Sequence, residues 1–452
     1  MTHALDHELF AAASHAVESQ LGLHFPPERW HDLERGLRGA ASDLGFDSVE
    51  KYVRELVTAH LARAQIDSLA AHLTVGETYF FRDPAAFDAL TLRVIPALVE
   101  ERRGRAMRLR IWSAGCCTGE EPYSIAIALR RAIPDLAHWQ VTILATDINP
   151  RFLQKAAAGV YGQWSFRGVP DDMRDAWFRK TPDGRFEVLP AIRKMVTFAC
   201  LNLVEDVCPS LATNTNAMDL IICRNVLMYF SREQIRKVVA NLRRSLVEGG
   251  RLVVSATEAS REYFGEFVPA EIPGITLYRK EMPAPRPARS FTPPAPIAPP
   301  PVAVPARLPE PSPPAQIAPI TPPEYAAEAR RLANEGRLAD ALAACDRALA
   351  ADKLVPAHHY LRGVILQEQN ALDEGAASLK RALYLDPDFV VAHFALGHLL
   401  LRLGRHREAA RCFANARSLL RSCAPDSLPA ESDGLTAGRL LEILASMQEA
   451  LV

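Results

Sequence analysis

No stretch of this chain holds the roughly twenty consecutive apolar residues that a bilayer-crossing helix requires. The amino end, MTHALDHELFAAASHAVESQ, carries acids where an export signal would carry a basic region. The eight cysteines (Cys116, Cys117, Cys200, Cys208, Cys223, Cys345, Cys412 and Cys423) form no CxxC pair and no regular framework. They read as reduced thiols, and the expected location is cytoplasmic. Excess charge of either sign is also missing. The net value of −1 excludes a nucleic-acid binder working through a broad basic surface.

What is present divides along the chain. Residues 1–75 look wholly helical, with apolar positions at helical spacing in YVRELVTAHL (Tyr52, Val53, Leu56, Val57, Leu61). Over residues 76–280 the texture is α/β. Short β-rich runs (RLRIWSAG, VTILATD, MDLIICRN, GRLVVSAT, ITLYRK) alternate with helical stretches. That alternation predicts a Rossmann-like parallel sheet with helices on both faces and ligands at the carboxyl ends of its strands. Residues 281–323 then hold 17 of the 34 prolines. Such a segment builds no packed core and predicts a semi-rigid tether, on the order of 130 Å if extended at ~3.1 Å per residue.

Beyond the prolines the chain repeats itself at a shift of 34 residues. Gly363 maps to Gly397, Ala376 to Ala410, and Ala348 and Ala382 to Ala416 by successive shifts. The period and the small residues predict an all-α tetratricopeptide array over 324–420, a protein-binding surface, followed by a helical tail over 421–452.

Chemistry concentrates in IWSAGCCTGEEPYSIAIAL, Ile111 to Leu129. Gly119 precedes Glu120 and Glu121 rather than Lys-Ser, which excludes a P-loop. Adjacent thiols without a nearby histidine fit neither zinc nor a nucleophilic pair, and no metal is expected. Small residues there let backbone approach a flat ligand, and the acids suit a cationic group. Asp147 ends the next strand, where an acid can accept from a ribose, although Asp147-Ile148-Asn149 can equally start a helix. Together these features point to S-adenosylmethionine: adenosine, a ribose diol and a sulfonium. TVGETYFFRDP (74–84) allows a Thr74–Glu77 capping box, and IICRNVLMYFS places Arg224, Asn225 and Tyr229 after an apolar strand.

Taken together, Thr78-x-Phe80-Phe81-Arg82, Trp112-Ser113-Ala114, Thr118-Gly119-Glu120-Glu121-Pro122-Tyr123-Ser124, Thr146-Asp147-Ile148, Asn202-Leu203 and Cys223-Arg224-Asn225-Val226-x-x-Tyr229-Phe230 resemble the CheR family of chemoreceptor glutamate methyltransferases. The resemblance covers about residues 10–280. It implies methyl transfer from S-adenosylmethionine to receptor glutamates, leaving S-adenosylhomocysteine. It implies cofactor contacts from Thr78, Arg82, Glu120 or Glu121, Asp147, Asn202, Leu203, Arg224 and Asn225. Tyr229 would lie near the methyl, and Arg102 or Arg103 would line the active site. Family members often carry Asn where this chain has Gly76.

The family inserts a small β subdomain, here expected near 160–198. Its hairpin RKTPDGRFEV turns on Asp-Gly and lacks a long glycine-rich loop, which implies no dependence on a receptor tethering peptide. The implied substrate is the cytoplasmic helical domain of a chemoreceptor, met by basic front-domain residues such as Arg29, Arg35, Arg38 and Arg54, each of which also suits a solvated helix face. A further signalling protein would bind the repeats. The rivals are a methyltransferase for another carboxylate and a cofactor-binding scaffold without turnover. A nucleic-acid amino-methyltransferase is disfavoured because no D/N-P-P-Y/F turn stands where Cys223-Arg224-Asn225-Val226 does.

Overall fold

The computed structural model describes residues 7–58, 61, 63–103, 107–204, 208–210, 213–281, 322–438, 440, 441 and 444. The proline-rich tether expected over 281–323 lies almost wholly outside the described residues. Four amphipathic helices open the chain, α1–α4 (His7–Leu21, Trp30–Asp43, Val49–Thr58, Arg63–Leu73). They bury Val17, Leu33, Leu37, Tyr52, Val53 and Leu69 in a core of their own.

The middle region runs α5 (Pro84–Ala89), α6 (Ile95–Arg102), β1 (Arg108–Ala114), α7 (Glu120–Ala132), β2 (Gln140–Asp147) and α8 (Pro150–Ala158). Next come β3 (Val160–Tyr161), α9 (Asp171–Trp177), β4 (Phe178–Lys180), β5 (Phe186–Val188), α10 (Pro190–Arg193) and β6 (Val196–Cys200). It closes with β7 (Met218–Ile222), α11 (Arg232–Ser245), β8 (Leu246–Val254), α12 (Arg261–Phe264), β9 (Val268–Ala270) and β10 (Thr276–Arg279). The main sheet has the order β6-β2-β1-β7-β8-β10-β9. Its first five strands are parallel, whereas β10 runs antiparallel to both β8 and β9. The expected parallel sheet is therefore a mixed one. VTFAC, absent from the predicted strands, forms its edge as β6. The small sheet β3-β5-β4 stops at Val188, with Gly184 in the left-handed turn of its hairpin.

The two faces of the main sheet are covered differently. Leu109, Ile111 and Ile143 point to the side of α6 and α7, where Ile125, Ala128 and Leu129 are fully buried. Trp112, Leu144, Met218 and Leu252 point to the opposite side. There α11 covers the right-hand strands, but the β6-to-β7 connection contains no helix among its described residues. The repeat array sits beside that open part.

Three helix pairs build the array: α13 and α14 (Pro322–Asn334, Leu338–Ala351), α15 and α16 (Pro356–Glu368, Leu372–Leu385), and α17 and α18 (Val390–Arg402, His406–Ser422). A Cβ on Gly363 would meet Leu379 Cγ at 2.6 Å, and one on Gly397 would meet Phe413 at 2.5 Å. The repeated glycine is thus the point where paired helices touch. Ala348, Ala382 and Ala416 are all fully buried. Ala376 is buried too, but Ala410 is exposed, because no further helix pair follows α18 among the described residues to cover it.

Array and sheet are joined by buried charge. Arg110 of β1, 3% exposed, donates from Nη1 to Glu368 Oε2 of α15 at 2.5 Å, and Arg108 reaches the same oxygen at 3.3 Å. Arg110 also donates to the carbonyls of Asn214 and Asn216, so its guanidinium is well satisfied. Asp433 of the tail accepts from Ser210 and from Arg330 of α13, which straps the far end. Glu368→Ala would leave two buried guanidinium groups without a carboxylate. Truncation of one partner of a buried pair costs about 3 kcal/mol or more. The expected outcome is a lowered thermal unfolding midpoint, with Glu368→Gln in between; an unchanged midpoint would remove this pair from the forces holding the array.

Candidate functional site

The carboxyl ends of β1, β2, β6 and β7 open into a cavity of about 490 Å³, closed on its outer side by the first four helices through Leu21, Leu23, Thr74 and Val75. Its floor is the turn after β1. Gly115 and Gly119 have φ of 79° and 95°, and Cys117 has φ of 51°. This turn places the Cys117 N–H 2.7 Å from Asp147 Oδ2, while Asp147 Oδ1 accepts from the Asn149 N–H at 2.9 Å. The two roles left open for the Asp147-Ile148-Asn149 segment are divided. Asn149 caps α8 by accepting from Arg151 and Phe152 N–H, and Asp147 lines the cavity. Burial pushes the Asp147 carboxyl up to about 6, against the pull of its backbone donors.

The neighbouring acids separate in the same way. Glu121 borders the cavity, accepts from Ser113 Oγ at 2.7 Å and lies 3.7 Å from Arg224 Nη1. Burial raises its pKa, and Arg224 opposes that shift. Glu120 turns away from the cavity, accepting from Thr118 and Ser165 in the interior. Of the two glutamates only Glu121 lines the cavity. The thiols of Cys116 and Cys117 are pushed up by burial and by Asp147, Cys117 to about 12. They are walls of the turn and not nucleophiles.

Thr78, Arg82, Asn202, Leu203, Arg224, Asn225 and Tyr229 all border the same cavity. Arg224, nearly buried, donates to the Arg82 carbonyl at 3.0 Å and to Asp83 Oδ2 at 3.2 Å. It thereby pins the Thr78–Asp83 loop over the site. The Thr74–Glu77 capping box does not form. Thr74 instead donates to the Ala70 carbonyl and accepts from the Asn149 side chain, which ties the front helices to α8. Arg29 lies over the Tyr229 ring at 5.8 Å. The other front-domain cations are spent on their own helices: Arg35 on Asp32, Arg38 on Glu34 and Arg54 on Glu50.

Arg102 and Arg103 are corrections. Arg102 Nε donates to Asp219 at the start of β7 at 2.8 Å, and Arg103 pairs with Asp135 beside Trp139. Both precede β1 and so sit at the amino ends of the strands. The length of β1, roughly 20 Å at ~3.3 Å per residue, separates them from the cavity.

Two functional residues were not anticipated. Phe152 of α8 lines the cavity, and a Cβ on Gly76 would meet its ring at 2.9 Å. The ring fills the place that a larger residue at 76 would claim. Glu258, 9% exposed, accepts from the N–H groups of Asn225, Val226 and Leu227 at 2.7–2.8 Å and from Met228 at 3.4 Å. Its signal was the Ser255-x-x-Glu258 spacing of a capping box.

The comparisons with known proteins agree with this geometry. Residues 76–271 match the family model described as CheR methyltransferase, SAM binding domain, and residues 359–389 match a tetratricopeptide repeat. The probable biofilm formation methyltransferase WspC of Pseudomonas aeruginosa is 32% identical over 417 residues, 87% of this chain and 95% of that protein. The chain belongs to the CheR methyltransferase family. Chemotaxis protein methyltransferase 1 of the same organism is 32% identical over 260 residues, 56% of this chain and 90% of its own length. The chemotaxis protein methyltransferase of Borreliella burgdorferi is 32% identical over 227 residues, covering 50% and 78%. This CheR protein is an S-adenosylmethionine-dependent methyltransferase carrying a repeat array.

A cavity of this volume, with acids at Asp147 and Glu121, suits an uncharged nucleoside joined to a cationic amino acid. Two outcomes follow. Affinity for S-adenosylmethionine should fall as pH drops through about 6, where Asp147 takes up a proton; in Asp147→Asn it should be at least tenfold weaker and insensitive over that range. Calorimetric titration checks both. Glu258→Ala frees the buried Leu227 N–H, at about 1–3 kcal/mol if it finds no other partner, and three part-buried ones at less. It should weaken cofactor binding at least tenfold and lower the unfolding midpoint, although the side chain lies outside the cavity lining.

Proposed function

We propose that this chain transfers the methyl of S-adenosylmethionine to glutamate carboxylates on the cytoplasmic helical domain of chemoreceptors, forming methyl esters in the cytoplasm. A signalling protein bound to the repeats would complete its partners, with no nucleic acid and no membrane insertion. The observation that carries this reading is the cavity itself. Asp147, Glu121, Arg82, Arg224 and Tyr229 all line it, with Glu121 beside Arg224, and no histidine or lysine is among its described lining residues. The names of the chemotaxis methyltransferases it resembles support the substrate class. No helix among the described residues is long and apolar enough to cross a membrane.

When bound, S-adenosylmethionine supplies an electrophilic methyl on a sulfonium. Asp147 and Glu121 would hold its polar groups, and Thr78, Asn202, Leu203 and Asn225 would wall it in. A glutamate side chain with a pKa near ~4.3 is already ionised at neutral pH, so no base is needed. The protein's task is alignment, and effective concentration accounts for most of the gain. Burial raises the Tyr229 hydroxyl above its ordinary value, against Arg29 and Arg82, so it stays protonated and can donate to the incoming carboxylate. Arg82, engaged with the Glu77 carbonyl at 2.5 Å, offers charge without surrendering its whole guanidinium to a tight pair.

The test is transfer of radiolabelled methyl to membranes containing the host's chemoreceptors. Base-labile label on the receptors is expected, with a rate flat from about pH 6.5 to 9. Tyr229→Phe should lower kcat by up to about 100-fold, the cost of a misplaced reactant, with cofactor affinity changed less than threefold. Cofactor binding without any label would replace this reading by a non-catalytic scaffold.

A further inference from the structure

A second cavity, about 620 Å³, lies between the repeat array and the edge of the sheet and shares only Leu201 with the lining of the first. One wall is formed by α15 and α17, the first helices of the second and third repeat pairs, through Tyr360, Val364, Phe394 and Leu401. The other wall is β6. This strand pairs only with β2, so one side of its main chain is unbonded to any strand, and all five of its residues border the cavity. Residues from both sides of the sheet, Tyr123 on one and Arg110 on the other, also border it, so the cavity wraps around that edge. Thr197, at the middle of β6, is exposed.

The charge of this cleft is one-sided. Arg108, Arg110, Arg193, Lys194 and Arg402 line it, against the single carboxylate of Glu368. Glu368 is already taken by Arg108 and Arg110. Among the described residues Arg402 donates to the Gln367 carbonyl and the Asn370 side chain. Arg193 and Lys194 are exposed and have no carboxylate partner among the described residues. A strand edge, apolar pockets opposite it and uncompensated cations along the rim fit one kind of ligand. An extended peptide can pair its main chain with β6, place alternate side chains against α15 and α17, and present carboxylates to the cations.

We infer that this cleft is the docking site for an extended acidic segment of a partner protein, gripped jointly by the repeat array and the edge strand of the methyltransferase sheet. The array's partner is thus read by both domains at once. Neither domain alone holds the complete site.

The probe is a rhodamine-labelled octapeptide of alternating glutamate and valine, titrated with the full chain by fluorescence anisotropy. Saturable binding is expected. It should weaken at least tenfold in the Arg193→Glu/Lys194→Glu double variant at equal salt, while affinity for S-adenosylmethionine stays unchanged and certifies the fold. Methylation of alternate peptide nitrogens should weaken it comparably. The inference is overturned by absent saturation, by equal affinity for a lysine–valine peptide, or by equal affinity in the double variant. Displacement by oligothymidylate at matched charge would reduce the cleft to a general polyanion surface and overturn it as well. Indifference to N-methylation would remove the strand pairing on which it rests.

Discussion

The methyl-transfer site depends on one buried carboxylate, that of Glu258. A strand end that turns sharply leaves its next amides without partners, and in the interior each orphaned N–H costs free energy. Here four consecutive amides, from Asn225 to Met228, converge on the two oxygens of Glu258. Asn225 can therefore sit at φ of 58°, a conformation that side chains rarely adopt. The turn aims Arg224 back toward the loop at Arg82 and sends Tyr229 to the cavity rim. The His24 N–H then donates to the Tyr229 carbonyl at 2.8 Å, which fastens the front helices to the same turn. One acid outside the cavity lining thus orders three residues, Arg224, Asn225 and Tyr229, that border it.

A second constraint is the turn after β1. Cys117 takes a left-handed conformation so that its N–H can reach Asp147, and the adjacent thiols fill the space behind it. Both thiols are small enough to pack, and burial favours their protonated form. Asp147 carries the cost of the arrangement. Burial raises its carboxyl to about 6, against the backbone donors that favour the ionised form.

Most of the cavity lining was legible in the sequence through the resemblance to the CheR family, whose motifs fall in short contiguous runs. Thr78, Arg82, Asp147, Asn202, Arg224 and Tyr229 were named on that resemblance, and the structure brings them to one cavity. Glu120 and Glu121 could not be told apart, since adjacent residues at a helix start point about 100° apart and periodicity does not say which faces outward. Arg102 and Arg103 failed for a different reason. Their place in the chain, just before the first strand, puts them at the wrong end of a parallel sheet, a topological fact that outweighs loose similarity. Phe152 and Glu258 act through packing and main-chain bonds, for which sequence spacing gives only faint marks. The β6 strand was missed because its five residues show no regular alternation of exposure and carry too little pattern.

The arginines of β1 bear on how the two halves of the chain belong together. A central parallel strand buried on both faces is ordinarily a continuous apolar run. Arg108-Leu109-Arg110-Ile111 instead alternates, which describes a strand with one apolar face and one face in contact with charge. Within residues 76–280 nothing in the described β6-to-β7 connection supplies a helix or a carboxylate for that face. Glu368, more than 250 residues away in sequence, does. A tether long enough to let the array roam would therefore be compatible with free domains only if Arg110 could remain solvated, yet its Nε and Nη2 are bound to Asn216 and Asn214 within the methyltransferase half. That fixed guanidinium is preorganised for one carboxylate. Its pairing with Glu368 makes the array a layer of the enzyme, so a ligand of the repeats acts on a surface that the methyltransferase domain shares.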